Sequence, residues 1–233
     1  MSDLNSYGFG SGAAVATAQT RNRVLRNTYA LLALSMVPTV IGAWLGVAMG
    51  FTFFEGSPFM GAILFLAIAF GFFWAIEKNK DSGVGVALLL GFTFFMGVML
   101  SRLIGMTLGS YSNGAALIMG AFGGTAAIFT VMASIATVSK KDFSGMGKFL
   151  FVGVILLILA SLANIWLQIP ALMLTIMVIA IAIFSAFILV DVQRVVNGGE
   201  TNYIIATLGI YLSIYNIFSN LLALFGILGG DRD

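Results

Sequence analysis

Residues 186–218 read AFILVDVQRVVNGGETNYIIATLGIYLSIYNIF, two long apolar segments separated by a short turn that is rich in glycine and polar residues. Asp191, at the end of the first segment, is the only acid of the chain that this pattern places near a bilayer interior. The second segment contains the densest set of polar side chains found in any apolar segment: Ser213, Asn216, Ser219 and Asn220. This hairpin therefore decides both the fold and the position of any polar site.

The composition identifies the class of protein. Of the 233 residues, 60% are hydrophobic and 9% are charged, whereas a soluble domain has roughly 25% charged residues. Eleven basic and nine acidic side chains cannot cover the water-exposed surface of a chain of this length. We predict an all-α polytopic membrane protein with one transmembrane domain. The net charge of +2 indicates neither a nucleic acid nor an acidic partner.

The chain contains no cysteine and no histidine. Disulfides, zinc sites built on these residues and nucleophiles that need an imidazole base are therefore excluded. An intramembrane aspartyl protease would need two aspartates in the bilayer, and only Asp191 is available. We expect no enzyme, no catalytic residue, no bound metal and no cofactor; calcium would enter only as an ion in transit.

Seven apolar segments approach the length of about 20 residues that a helix needs to cross a bilayer. The count would be six or eight if one segment were re-entrant, but seven fits best. The fifth and sixth are joined so closely that they must form a hairpin, with Pro170 opening the sixth helix. The predicted spans are residues 28–50, 59–76, 84–108, 115–138, 149–167, 171–190 and 204–228.

The basic residues predict the orientation. With the amino terminus inside, nine Lys and Arg residues lie on the inner side and two outside, the asymmetry of a cytoplasmic amino terminus and a periplasmic carboxy terminus. The inner set is Arg21, Arg23, Arg26, Lys78, Lys80, Lys140, Lys141, Lys148 and Arg194, and the outer set is Arg102 and Arg232.

The two ends of the chain are predicted to be tails. Residues 1–27 would form a flexible cytoplasmic tail, because residues 1–20 lack Lys and Arg and are rich in Gly, Ser, Ala and Thr. They contain neither the basic region nor the apolar core of a signal peptide. Residues 28–230 would form the transmembrane domain and residues 231–233 a short carboxy-terminal tail.

Small residues recur at four-residue spacing in three of the segments. In lipid, such stripes let helix backbones approach closely. We expect them to serve close packing within the bundle, with a dimer seam as the alternative. The stripes are Gly42, Gly46 and Gly50; Gly97, Ser101, Gly105 and Gly109; and Ala116, Gly120 and Gly124.

Ser213, Asn216 and Asn220 lie on one face of the last helix, in line with Gly209. Lipid-facing amides are costly, so this polar stripe should face the bundle interior or a water-filled cavity. It would serve either as hydrogen-bonding glue between helices or as a polar path. Asn164, near the end of the fifth helix, is a supporting polar residue that would point the same way.

Asp191 has two interpretations. It is either an ordinary interfacial acid that pairs with Arg194 at i, i+3, or a gate and proton sensor at the cytoplasmic end of the sixth helix. Arg102 is an isolated charge late in the third helix. It either snorkels outward or lines an external vestibule.

Several blocks of the chain resemble the Bax-inhibitor (TMBIM) family of membrane proteins, in the order in which the family has them. They are RNRVLRNTYALLALSMVPTVIGA (21–43), GGTAAIF (123–129), KKDFSGMGKFLFVG (140–153), LANIWLQIPAL (162–172) and the run from FILVDVQRVV to LLALFGILG (187–229). The RNTY start, the NGGETNYI loop and YLSIYNIF are most similar to the bacterial branch described as modulators of the FtsH protease.

The resemblance implies a seven-helix bundle around a central last helix. In family members studied as pH-sensitive calcium leaks, two aspartates on the sixth and seventh helices share a proton. Asp191 matches the first of them, but Ser213 stands at the position of the second. A coupled carboxylate pair therefore cannot form here.

The FtsH-modulator branch implies a different role. Its members are inner-membrane proteins that bind the membrane-anchored protease, are degraded slowly, and restrain its action on other membrane substrates. A flexible amino-terminal tail is what an ATP-driven protease can grip, and residues 1–20 would suit. We therefore expect a regulator that binds the FtsH complex in the inner membrane; the alternative is a pH-sensitive cation leak gated by Asp191.

Overall fold

The computed structural model of the chain describes residues 8–51 and 58–231. Within these residues all regular structure is helical, and the helices number seven. Each is long and apolar enough to cross a bilayer, as the sequence predicted. They are α1 (Gly8–Ala48), α2 (Pro58–Lys78), α3 (Gly83–Ser110), α4 (Gly114–Val138), α5 (Met146–Leu167), α6 (Pro170–Val196) and α7 (Tyr203–Gly229).

The helices end where apolar runs meet turn-forming residues. Between α5 and α6, Gln168 adopts a left-handed φ of 50° and Pro170 opens the next helix, so the predicted hairpin forms. The start of α1 differs from the prediction, because the helix begins at Gly8, within an alanine-rich stretch that favours helix. Helix therefore covers most of the expected tail over residues 1–27. The flexibility of that tail stays a prediction, and residues 1–7 lie outside the described residues.

The last helix, α7, lies at the centre of the bundle. In the described part of the chain it packs against α1, α2, α3, α4 and α6. Its largest fully buried side chains include Ile210, Tyr211, Ile217 and Leu222. The helix α5 is the opposite case, since it packs against α6 alone among the described helices and has no buried residue.

Helices α1 and α3 are packed backbone to backbone. A methyl group on Gly97 would overlap the carbonyl oxygen of Thr39, and one on Gly42 would overlap the carbonyl oxygen of Phe94. Such an approach needs small residues on both helices. The predicted close packing inside the bundle is therefore confirmed for this pair.

Two asparagines outside α7 fix its ends. The Oδ1 atom of Asn202 caps the helix by accepting from the backbone N–H of Ile204 at 3.0 Å. The Nδ2 atom of the same residue donates to the carbonyl oxygen of Lys80 at 2.9 Å. At the far end, Asn113 Nδ2 donates to the carbonyl oxygen of Gly229 at 2.8 Å. The central helix is thus tied to the α2–α3 loop at one end and to the α3–α4 loop at the other.

Candidate functional site: the hairpin of α6 and α7

Asp191 lies near the end of α6 with its carboxylate directed at α7. A methyl carbon built on Gly209 would lie 3.1 Å from Asp191 Oδ2. The carboxyl group therefore occupies the space that a larger residue at position 209 would fill. The side chain of Asp191 is half-buried, whereas that of Arg194 is exposed.

One of the two interpretations of Asp191 was an ion pair with Arg194, and no direct contact of ion-pair length joins these two side chains. Among the described residues, the only ion pair joins Lys80 and Glu77, at the end of α2. The Asp191 carboxylate faces α7, whereas Arg194 is exposed and acts on Asp191 through its charge without a direct contact. The structure places Asp191 at the contact between α6 and α7 rather than in an interfacial ion pair.

Ser213 lies one turn after Gly209 on the same face of α7. Its hydroxyl group is buried, with 3% of the residue exposed, and donates to the carbonyl oxygen of Gly209 at 3.2 Å. A serine that is satisfied by its own helix cannot share a titrating proton with Asp191, as a second carboxyl group would. The hairpin therefore holds one acid where a coupled pair would need two.

The amides of Asn216 and Asn220 are also bonded to their own helix. Asn216 Nδ2 donates to the carbonyl oxygen of Leu212, and Asn220 Nδ2 donates to that of Asn216, both at 2.8 Å. In the part of the chain that the structure describes, neither side chain bonds to another helix. The stripe thus does not bridge helices through hydrogen bonds.

Asn216 and Asn220 line a cavity of about 650 Å³ between α2 and α5, which we call the α2–α5 cleft. The helices α3, α6 and α7 form its floor, and most of its lining is apolar, with Ser161 as a further polar residue. Ser213 does not line it. The predicted stripe is therefore divided: one hydroxyl lies inside the bundle, and two amides lie in a cleft at membrane depth.

The two supporting polar residues lie elsewhere. Asn164 Oδ1 accepts from the backbone N–H of Ile169 at 3.0 Å, so this side chain shapes the α5–α6 turn and does not line the α2–α5 cleft. Arg102 is exposed on α3 and likewise lies outside that cleft. Outward snorkelling of the guanidinium group and a position at an external vestibule both stay predictions.

Sequence reasoning missed Tyr211, which is 1% exposed. Its hydroxyl shares a hydrogen bond of 2.8 Å with the Thr39 hydroxyl and lies 3.4 Å from the carbonyl oxygen of Thr93. This contact joins α1, α3 and α7 in the interior. A tyrosine in the middle of a predicted span is a usable signal, because a buried phenol needs a hydrogen-bond partner.

Gln193 was missed as well. It is 2% exposed; its Oε1 atom accepts from the N–H of Phe143 at 2.6 Å and its Nε2 atom donates to the carbonyl oxygen of Lys141 at 2.7 Å. Both atoms of the amide are thus used to hold the α4–α5 loop against the end of α6. Two hydrogen bonds therefore hold the end of α6, close to Asp191, against the α4–α5 loop.

Membrane-length helices packed around a central last helix that carries a polar stripe define a polytopic helical membrane protein. The family model described as "Inhibitor of apoptosis-promoting Bax1" matches residues 21–230. The chain belongs to this Bax inhibitor family, which confirms the resemblance found in its sequence blocks.

Individual relatives are similar to this chain over most of its length. A modulator of FtsH protease, YccA of Escherichia coli K12, is 35% identical over 210 residues, which are 90% of this chain and 92% of that protein. An uncharacterised membrane protein of Vibrio cholerae is 37% identical over 210 residues, with the same coverage. An uncharacterised protein of Neisseria meningitidis is 40% identical over 219 residues, 92% of this chain and 96% of its own. A second Escherichia coli relative is named an inner membrane protein, and the predicted membrane location is confirmed.

Proposed function

We propose that this chain is a non-catalytic inner-membrane regulator that binds a membrane-anchored FtsH protease and restrains its action on other membrane proteins. The observation that carries the proposal is the 35% identity to the relative named as modulator of that protease. The alignment covers 90% of this chain, so the likeness extends over the whole bundle and not over one motif.

An intramembrane contact is supported by the α2–α5 cleft. Helix α5 packs against α6 alone among the described helices, so its apolar surface is open to other membrane segments. At the floor of the cleft, the side-chain amides of Asn216 and Asn220 each donate one hydrogen bond to their own helix, and their remaining donor and acceptor capacity is available to a partner helix, as between other transmembrane helices. We place the protease-binding surface at this cleft.

Capture of the complex tests the proposal. The full chain, with a carboxy-terminal affinity tag, is purified in mild detergent from cells whose FtsH is proteolytically inactive. We expect FtsH to be enriched over its recovery with an unrelated multi-pass membrane protein. Recovery equal to that control would overturn the proposed binding.

A pair of variants tests the surface. Asn216→Leu with Asn220→Leu should lower the recovery of FtsH severalfold. The matched control is Thr130→Leu with Ser134→Leu, which changes two polar residues at the same spacing on α4, in a different cavity. Equal recovery with both double variants would exclude the α2–α5 cleft as the contact.

A second candidate function is a pH-sensitive cation leak, calcium included, gated by Asp191. It is favoured by one observation, the position of the Asp191 carboxylate against Gly209 at the contact of α6 and α7. Cation flux is measured from liposomes that hold the purified protein, from acidic to slightly alkaline pH. Asp191→Asn should change the flux or its pH dependence, while Asp81→Asn, in the α2–α3 loop, should not. Flux no greater than from empty liposomes would exclude the leak.

A further inference from the structure

A second cavity lies between α1 and α4. Its volume is about 1020 Å³, α3 and α7 lie behind it, and we call it the α1–α4 cleft. In the described part of the chain the backbones of α1 and α4 do not pack together. The two helices meet where the rings of Tyr29 and Phe129 lie edge to face, with 6.1 Å between their centroids. The cleft is therefore an opening between two helices and not a closed interior void.

The lining of the α1–α4 cleft is suited to an apolar occupant. Most of its side chains are apolar, and the hydroxyl of Thr130 already donates to the carbonyl oxygen of Ala126 in its own helix at 2.8 Å. On α1 the lining extends from Tyr29 to Val47, about 27 Å at 1.5 Å per residue. That length is comparable with the hydrocarbon core of a bilayer, about 30 Å. Acyl chains are the apolar molecules present at this depth.

One end of the α1–α4 cleft is flanked by basic side chains. Arg26 lies one turn before Tyr29 on α1, and Lys140 lies just beyond Thr137, the last lining residue of α4; both basic side chains are exposed. Neither belongs to an ion pair with a carboxylate among the described residues. The end of the cleft thus carries uncompensated positive charge.

The acid nearest in sequence does not neutralise this end. Asp142 accepts from the backbone N–H of Ser144 at 2.9 Å. Hydrogen bonds from Ser144 hold the pKa of Asp142 below its ordinary value. This carboxylate is satisfied within its own loop, so Lys140 and Arg26 remain available to an anion.

We propose that the α1–α4 cleft binds an anionic phospholipid, with its phosphate held by Arg26 and Lys140 and one acyl chain along the cleft. Charged N–H donors form strong hydrogen bonds to phosphate oxygens, and the acyl chain restores the dispersion contacts that an empty apolar cleft lacks. The site is separate from the α2–α5 cleft and does not depend on the proposed binding of FtsH.

Lipid retention by the full-length protein tests the charge part of the proposal. The protein is equilibrated in detergent with phosphatidylglycerol or with phosphatidylethanolamine of identical acyl chains, and the retained lipid is counted by native mass spectrometry. We expect a preference of up to about thirtyfold for the anionic lipid, the size expected of two basic side chains at a membrane surface. Arg26→Gln with Lys140→Gln should remove the preference. Lys78→Gln with Lys148→Gln, which removes two charges from α2 and α5, should keep it.

A second pair of variants tests the acyl chain. Ala126 lines the α1–α4 cleft and its exposed neighbour Ala127 does not. Ala126→Phe should lower retention of phosphatidylglycerol severalfold, whereas Ala127→Phe should leave it unchanged. Any one of three results would overturn the proposal: the unmodified protein retains the two lipids equally, the two pairs of charge variants change lipid preference equally, or the two phenylalanine variants lower phosphatidylglycerol retention equally.

Discussion

At the scale of single residues, Tyr211 places a phenol group where α1, α3 and α7 meet. A hydroxyl in a medium of low dielectric constant is costly unless it is hydrogen-bonded. The bond of 2.8 Å to Thr39 meets this need, and the ring packs edge to face on Phe92 with 6.3 Å between centroids. One side chain thus combines polar and apolar contacts at the centre of the bundle.

Tyr211→Phe should lower the free energy of unfolding by about 1 kcal/mol, the net value of one hydrogen bond. No orphaned group should remain, because the Thr39 hydroxyl also donates to the carbonyl oxygen of Ser35 at 2.8 Å. Reversible denaturation in detergent measures the change. The control is Tyr29→Phe, since the Tyr29 hydroxyl makes no hydrogen bond in the described part of the chain; this change should stay within about 0.5 kcal/mol. If Tyr211→Phe and Tyr29→Phe lowered the free energy of unfolding equally, the stabilising role of the buried hydrogen bond of Tyr211 would be contradicted.

At the scale of helices, the contact of α1 with α3 depends on glycine because backbone atoms occupy the space of a side chain. The carbonyl oxygen of Thr39 lies against Gly97, and that of Phe94 lies against Gly42. Elsewhere a glycine has no such neighbour: around Gly71 on α2 a methyl group would meet nothing within 4 Å. The same residue type therefore has opposite effects on stability in the two helices.

Gly97→Ala should destabilise the protein by roughly 1 to 3 kcal/mol, the usual cost of overpacking. Gly71→Ala should stabilise it by up to about 1 kcal/mol, because alanine is the better helix former and its methyl group points into open space. Thermal unfolding of the two variants in the same detergent gives the comparison. If Gly97→Ala raised the midpoint as much as Gly71→Ala, the backbone contact of α1 with α3 would be refuted.

The positions of the helices could be predicted from the sequence, because bilayer thickness fixes the length of an apolar run that spans it. The partners of polar side chains could not. Asn202 bonds to Lys80 across 122 positions, a distance at which local patterns carry no information. Even for the local pair Asp191 and Arg194, one of whose two interpretations was an i, i+3 ion pair, the spacing did not determine the contact, because the Asp191 carboxylate packs against Gly209 on α7.

The start of α1 shows another limit of sequence patterns. Low charge and small residues predicted a flexible segment before residue 28, yet the alanine-rich part of that segment also favours helix. Composition alone could not separate these two outcomes. Likewise, the polar stripe of α7 was found from its spacing, but its division between the bundle interior and the α2–α5 cleft depends on how α2 and α5 are arranged.

At the scale of the whole molecule, the central α7 faces a different cavity on each of two sides. Asn216 and Asn220 line the α2–α5 cleft, whereas Ile214 and Phe218 line the α1–α4 cleft. Tyr215 lies between these two sets of residues and lines both clefts. A partner helix on one side and a phospholipid on the other would therefore contact the same element without competing for space.

The amino-terminal residues should act as the handle by which the protease removes the protein itself. Deleting residues 1–20 should lengthen the half-life of the protein severalfold in cells with active FtsH, while FtsH capture persists, because the proposed contact lies in the bundle. Pulse-chase labelling measures the half-life. Replacing residues 1–20 by a glycine–serine segment of equal length tests whether length alone suffices. An unchanged half-life after the deletion would exclude the tail as handle.

The most direct test of the regulatory role is the rate at which FtsH degrades a membrane substrate in proteoliposomes supplied with ATP. The purified chain is added in increasing amounts relative to the protease, and an unrelated multi-pass membrane protein serves as the control. We predict that substrate degradation slows as the chain is added and approaches a limit once each protease complex is occupied. A rate that stays equal to the control at saturating amounts of the chain would contradict the proposed function.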